Sequence, residues 1–423
     1  MSLTVGKGRD RSVGSQTPAL PAATSSYASR PSLWPSREGL RALALAAPLL
    51  LLLVASFAVP IFSLLLRAVY DPTIAHALPL TAEALQQDEA PVPDDPVFAA
   101  LLADLKVQKD AGTLAEVAKS LNARQPAARS QVMKTGRRLD GSPLSKADLI
   151  AAIPLWGEPE TWATIRGGIH PFTSYNLLNA LDLRWSASGS LEFVPAGQAV
   201  FLQVFGRTFL VAAIVTLTTL ALGFPLAYLI TKLPPAPAAI VLILVLLPFW
   251  TSILVRTAAW TVLLQKFGLV NEALMALGVT DDRLDLMYSR LGLIMAMTHI
   301  QLPFTLLPIY SVLRAIPPSQ MRAAHSLGAK PMTALIRVYL PQAMPGIMAG
   351  CLLTFILCLG YYITPALVGG AGDQLISNFV ASYVNVDLNW EMAAALSLIL
   401  LALTLALYAL FARFLGFDRL RPG

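Results

Sequence analysis

Six stretches of this chain run for 21 residues or more without a single Asp, Glu, Lys or Arg. They are Ala42–Leu66, Thr208–Thr231, Leu233–Val255, Leu291–Leu313, Val338–Gly372 and Met392–Ala412. About 20 apolar residues in a helix cross the roughly 30 Å hydrocarbon layer of a bilayer. A backbone in lipid must satisfy its polar groups internally, so open strands are excluded and helices remain. Only 13% of the residues are charged, against about 25% in soluble domains, which excludes an ordinary soluble enzyme. The expected fold class is an all-α membrane protein: six transmembrane helices with a mostly helical external insertion between the first and second spans. Proline placement suggests that the membrane part of the third run starts after Pro237 and that of the fifth near Met344.

The segments between these runs set the expected domains. Residues 1–41 are rich in Ser, Pro, Ala and Gly and read as a disordered cytoplasmic tail. Residues 42–66 form the first span, which reads as a retained anchor, since it is too long for a cleaved signal. Residues 67–200 form the external insertion, 201–412 hold five further spans around a loop at 314–343, and 413–423 form a cytoplasmic tail. One set of short segments (the tails, Lys232 and 314–337) carries 14 basic and three acidic residues. The opposite set (265–290 and 373–391) carries three basic and seven acidic. Basic residues collect on the cytoplasmic side, so both termini of this multi-pass membrane protein are expected there. The insertion has helical apolar spacing at Val97, Leu101, Leu102 and Leu105, and Ser145 is a candidate N-cap. It suits a docking domain or a packed spacer equally.

The net charge of +6 follows from that loop asymmetry, and no basic stripe with interleaved aromatics points to nucleic acid. There is no P-loop, no H-E-x-x-H, no G-x-S-x-G and no metal-spaced Cys/His cluster. No catalytic, cofactor-binding or metal-binding residues are therefore assigned. Cys351 and Cys358 stand about 10 Å apart along one helix face and read as packing residues. His299 lies mid-span beside Gln301, where a bond to a neighbouring helix or a functional role both fit. The spans hold no carboxylate, which weighs against the alternative of an ion-coupled secondary transporter.

The loop from Ala315 to Gly350 has the richest punctuation. Pro317-Pro318 ends the fourth span, Ser319 is placed to cap a short helix over 320–327, and Gly328 suits a left-handed C-cap. A second short helix carries Leu335, Ile336, Val338 and Leu340 and is expected to stop at Pro341 and Pro345. Ala323-Ala324, Leu327-Gly328-Ala329, Val338, Leu340-Pro341 and Pro345-Gly346 together resemble the EAA loop of type I ABC importer permeases. LPFWTSILVRTAAW (247–260) and YYITPALVGG (361–370) resemble the spermidine/putrescine branch. The resemblance covers 205–411 and departs from the motif at Arg322, where the family has Glu.

That resemblance implies an ATP-driven importer permease carrying a small solute, with a polyamine or related organic cation delivered from outside. It implies a cytoplasmic ABC ATPase dimer gripping the loop, a second permease subunit and an external solute-binding protein. The chain itself would not be an enzyme. Path candidates flank Pro248 and Pro365: Phe249, Trp250, Thr251, Tyr361, Tyr362 and Thr364. Their rings and hydroxyls can hold an ammonium group, and they also suit packing and an interfacial aromatic belt. Arg256 is expected to snorkel outward or to pair with another subunit.

Overall fold

A computed structural model of the chain describes Ser2, Thr4 and residues 37–415, apart from 126, 141–144, 187–189, 196 and 198. The rest of the N-terminal stretch read as disordered, and 416–423, lie outside the described residues. Residues 37–41, counted with that tail, are helical: a helix starts at Arg37 and passes through a π-turn at Val54–Ala58. The last helix likewise runs through to Leu415. The described residues divide into two compact units at Val59/Pro60.

Five described helices are long and apolar enough to cross a bilayer: Ala44–Leu66, Phe201–Lys232, Arg290–Ala315, Pro331–Leu359 and Trp390–Arg413. They correspond to the first, second, fourth, fifth and sixth apolar runs. The third run is not one rod. Pro235–Trp250 and Ile253–Leu263 meet at 102°. Pro248 sits in a 3-10 turn, Thr251 is extended, and Ser252 starts a new helix by accepting the Leu254 N–H at 3.3 Å.

The fifth span also departs from expectation. It begins at Pro331 rather than near Met344, and neither Pro341 nor Pro345 stops it. A π-turn over Leu335–Tyr339 carries the Leu340 N–H to the Leu335 carbonyl. The widened turn ends just before Pro341, which has no N–H to give. The Gln342 side chain donates to the Val338 carbonyl at 2.7 Å, replacing part of the interrupted ladder.

Spans two, four and five form the central bundle. One cluster joins Ala227, Ile230, Leu306, Ile309, Leu313, Tyr339 and Ala343. A second joins Val211, Val215, Leu293, Met297 and Cys358. Spans four and five touch closely at Gly346 and Gly350. A Cβ on Gly350 would lie 2.6 Å from the Thr305 carbonyl oxygen, and one on Gly346 would lie 2.9 Å from that of Pro308. Small residues four apart let two backbones approach where lipid offers no hydrophobic drive.

The insertion has its own core, in which Trp156 and Trp162 are fully buried beside Phe98, Leu101, Leu105 and Ile165. Ser145 caps the helix Lys146–Ala152 as expected, in a reciprocal capping box with Asp148. Within the insertion, the carboxylate of Asp71, five residues past the end of the first span, takes the Arg124 guanidinium at 2.6 Å. Asp182 fastens the insertion to the second span, accepting from the backbone N–H groups of Val200, Phe201 and Leu202 at 3.0, 3.1 and 2.7 Å.

Candidate functional site

The loop between spans four and five is a helix, a glycine turn and the start of the next span. Its first helix is Pro318–Ser326, with Pro318 at the first helical position. Ser319 therefore lies inside that first turn and does not cap it, because proline's fixed φ and missing donor suit the start of a helix. Gly328 has φ +81°. Its N–H donates to the His325 carbonyl at 2.9 Å, and the Ala329 N–H reaches back to the Ala324 carbonyl at 3.0 Å. These two bonds close the helix end by the left-handed glycine cap.

The expected loop residues divide by what they touch. Ala324 is buried and Leu340 packs on the bundle. Arg322, Ala323 and Pro341 are exposed, while Ala329 is half-buried. Leu327 is 89% exposed, and Met332 and Ile336 are exposed with it. These three exposed apolar side chains flank the glycine turn, and Met332 is the one among them that sequence reading did not name. Sequence reading also missed how the loop is tied down. Tyr339 packs edge-on against Tyr228 of the second span at 5.4 Å between ring centroids, and Lys232 lies 5.1 Å from the Tyr228 ring and 5.9 Å from that of Tyr339. A cation near two aromatic faces is held by their quadrupoles.

The six path candidates fall in different surroundings. Phe249 packs tilted against Phe304 of the fourth span, 4.9 Å between ring centroids, while Trp250 is 75% exposed. Thr251 donates to the Pro248 carbonyl at 2.9 Å and accepts the Arg256 guanidinium on its own carbonyl at 3.0 Å. Arg256 is thus half-buried against its own helix start rather than stretched outward. Thr364 is buried, with its hydroxyl 3.0 Å from that of Thr257. The carbonyls of Tyr361 and Tyr362 are taken by Ser377 and Asn378 at 2.7 and 2.8 Å.

Of these groups, the second half of the bent pair meets Thr364 and, beside it, reaches the fourth span. Thr257 meets Thr364, and Trp260 donates to His299 Nδ1 at 3.2 Å. His299 therefore has the neighbouring-helix partner that its mid-span position suggested. Gln301 is 1% exposed, and its Oε1 has no hydrogen-bond partner among the described residues.

Residues 196–416 match the family described as the binding-protein-dependent transport system inner membrane component. The spermidine/putrescine transport system permease protein PotB of Escherichia coli K12 is 35% identical over 202 residues, covering 48% of this chain and 73% of that protein. PotB of Salmonella typhimurium LT2 is 35% identical over 213 residues, 49% of this chain and 74% of that one. The inner membrane ABC transporter permease protein YdcU of E. coli K12 is 37% identical over 266 residues, 60% of this chain and 83% of that protein. Its likeness reaches beyond the family segment into the insertion. A solved bacterial alginate ABC transporter, in complex with an alginate-bound periplasmic protein, superposes with a TM-score of 0.43 at 18% identity, covering 52% of this chain and 79% of that one. The chain belongs to the binding-protein-dependent transport system inner membrane component family and is a multi-pass permease subunit of an ABC importer.

Proposed function

We propose that the chain forms half of the path by which an ABC importer brings a polyamine, or a related organic cation, across the inner membrane. The permease names of its PotB relatives support this substrate class. A separate ATPase dimer would grip the loop at Arg322, Ala323, Ala324, Leu327, Gly328 and Ala329. Leu340 and Pro341 would pass its movement into the fifth span. The observation that carries this reading is the glycine-capped turn with Leu327, Met332 and Ile336 exposed beside it. Exposed apolar side chains on a rigid turn suit insertion into a partner's cleft.

The path would run along Phe249, Trp250, Thr251, Tyr361, Tyr362 and Thr364, where aromatic faces replace the carboxylates that the spans lack. A cation over such a face is stabilised by about 0.5–2 kcal/mol. A second permease subunit would complete the path, and an external solute-binding protein would supply selectivity. Both termini would be cytoplasmic, since the basic loops lie on their side. Residues 67–200 would lie outside the membrane, and 201–412 would be the permease domain.

The test is co-purification of the tagged chain with its ATPase, comparing wild type and Gly328→Leu at equal membrane levels. The ATPase should copurify with wild type and be lost with the variant. An ATPase that ignores the substitution would refute the loop assignment. Uptake of labelled putrescine or spermidine into proteoliposomes of the intact complex tests the substrate; ATP-driven uptake of neither would refute the polyamine reading.

A further inference from the structure

A small two-stranded ribbon precedes the second span. Strand β1, Leu183–Trp185, pairs antiparallel with β2, Leu191–Phe193. The register sets Leu183 opposite Phe193, Arg184 opposite Glu192, and Trp185 opposite Leu191. Side chains alternate across a strand, and directly paired residues share a face. One face is therefore Leu183, Trp185, Leu191 and Phe193, and the other is the Arg184–Glu192 pair. The apolar face is uncovered: Trp185 is 54%, Leu191 49% and Phe193 72% exposed. A two-stranded hairpin is marginal in water on its own, so an uncovered apolar face calls for an occupant.

Two sets of bonds fix where this face lies. The Val194 N–H donates to the Asp182 carbonyl at 2.9 Å, and the carboxylate of the same residue holds the first N–H groups of the second span. The ribbon is thus clamped directly to the end of a membrane-crossing helix. A second aromatic pair adjoins it. Tyr70 donates its N–H to the Leu66 carbonyl at 3.0 Å, one turn past the end of the first span. Its ring lies 5.3 Å from that of Phe172, which is 67% exposed. Trp185 reaches the segment that follows Phe172 by donating its indole N–H to the Ser174 hydroxyl at 3.4 Å. Val200 and Leu202, at the start of the second span, are also exposed.

We propose that Trp185, Leu191, Phe193, Tyr70 and Phe172 seat in the headgroup layer of the bilayer, on the face where the insertion lies. The insertion would then ride on the membrane surface and not stand clear of it. Anchorage selects lipid over a protein partner, because Tyr70 is bonded one turn past the end of one membrane-crossing helix and the ribbon is bonded through Asp182 to the first turn of another. The composition agrees, since Trp and Tyr collect where one end of the ring is apolar and the other wet. The charged face, Arg184 and Glu192, is left for water. Amphipathic elements of this kind sink about 5–10 Å into the boundary region.

The test places a nitroxide on each face of the ribbon, in phosphatidylethanolamine/phosphatidylglycerol nanodiscs, with Cys351 and Cys358 replaced by alanine. A label on Phe193→Cys should be relaxed severalfold more by oxygen than by a water-soluble nickel chelate, and a label on Arg184→Cys should show the reverse. Equal access of the nickel reagent to both would overturn the proposal, and so would exclusion of both reagents at 193, which marks a protein cover. Because Cys358 is buried, a second measurement keeps the native cysteines. Trp185→Phe should lower the fraction of tryptophan emission quenched by lipid brominated near the headgroup. An unchanged fraction would also overturn it.

Discussion

Thr305 of the fourth span donates its hydroxyl hydrogen to Thr219 of the second span across 2.9 Å. Thr219 in turn donates to the Thr216 carbonyl at 2.9 Å, and Thr354 of the fifth span lies 2.6 Å from the Thr305 oxygen. Each hydroxyl has one hydrogen, so the direction is fixed: Thr354 gives to Thr305, Thr305 to Thr219, and Thr219 to backbone. One chain of donors thus pins the three helices of the bundle together, and Thr218 and Thr298 add a parallel contact at 2.8 Å. Thr305→Val keeps the shape and removes the middle link. Thermal unfolding in nanodiscs should show a loss of about 1 kcal/mol, with membrane insertion unchanged. Unchanged stability would mean that the hydroxyls contribute packing only.

Asp182 gives a second stability prediction. It is 3% exposed, and its carboxylate is the acceptor for three N–H groups at the start of the second span. Its φ of +54° turns the side chain back onto the helix, a conformation that Asp tolerates better than most residues. Asp182→Ala should cost about 1–2 kcal/mol and speed amide exchange at 200–202. Asp182→Asn should cost less, since one oxygen remains to accept. Equal losses for the two variants would put the effect on the backbone turn and not on the carboxylate.

How much of this was legible in the sequence depends on how local each signal was. Uncharged runs reported the spans, because lipid penalises charge whatever the neighbours are. Ser145 and Gly328 were legible for a similar reason: a capping box and a left-handed turn are settled within six residues. The prolines misled, because a proline's cost depends on the ladder around it. Pro248 helped break the third run, while Pro341 was absorbed by a π-turn and Pro345 by a continuing helix. Pairings such as Tyr228 with Tyr339, or Asp182 with the second span, join residues 18 to 111 positions apart, which spacing cannot foresee. Arg256 holds the Thr251 carbonyl freed at the bend, a local partner that charge alone does not indicate.

The insertion carries a pH signature. Tyr175 donates its hydroxyl to the Arg124 carbonyl at 3.2 Å, and Arg124 lies 4.9 Å from its ring. Burial pushes its phenol up to about 12, and the nearby guanidinium only partly opposes that. The folded value stands above the unfolded value of about 10. Its contribution to stability is therefore complete below about pH 10 and is lost as pH rises towards 12. The near-ultraviolet tyrosinate signal of wild type minus Tyr175→Phe should appear only near pH 12. A difference signal at the ordinary tyrosine value would mean that Tyr175 is open to water.

Gly328 separates backbone conformation from bulk. A Cβ added there meets nothing within 4 Å, yet φ is +81°. Any penalty must come from the left-handed conformation itself, about 1–2 kcal/mol for an ordinary L-residue. Asn tolerates that region, whereas β-branched residues are true outliers in it. Transport-coupled ATP hydrolysis by the intact complex should therefore fall in the order wild type, Gly328→Asn, Gly328→Ala, Gly328→Val, although Asn is bulkier than Ala. If activity follows side-chain volume instead, with Ala above Asn, the turn is a steric contact with the ATPase. If it follows φ tolerance, the rigid cap is what holds Leu327, Met332 and Ile336 ready for the partner's cleft.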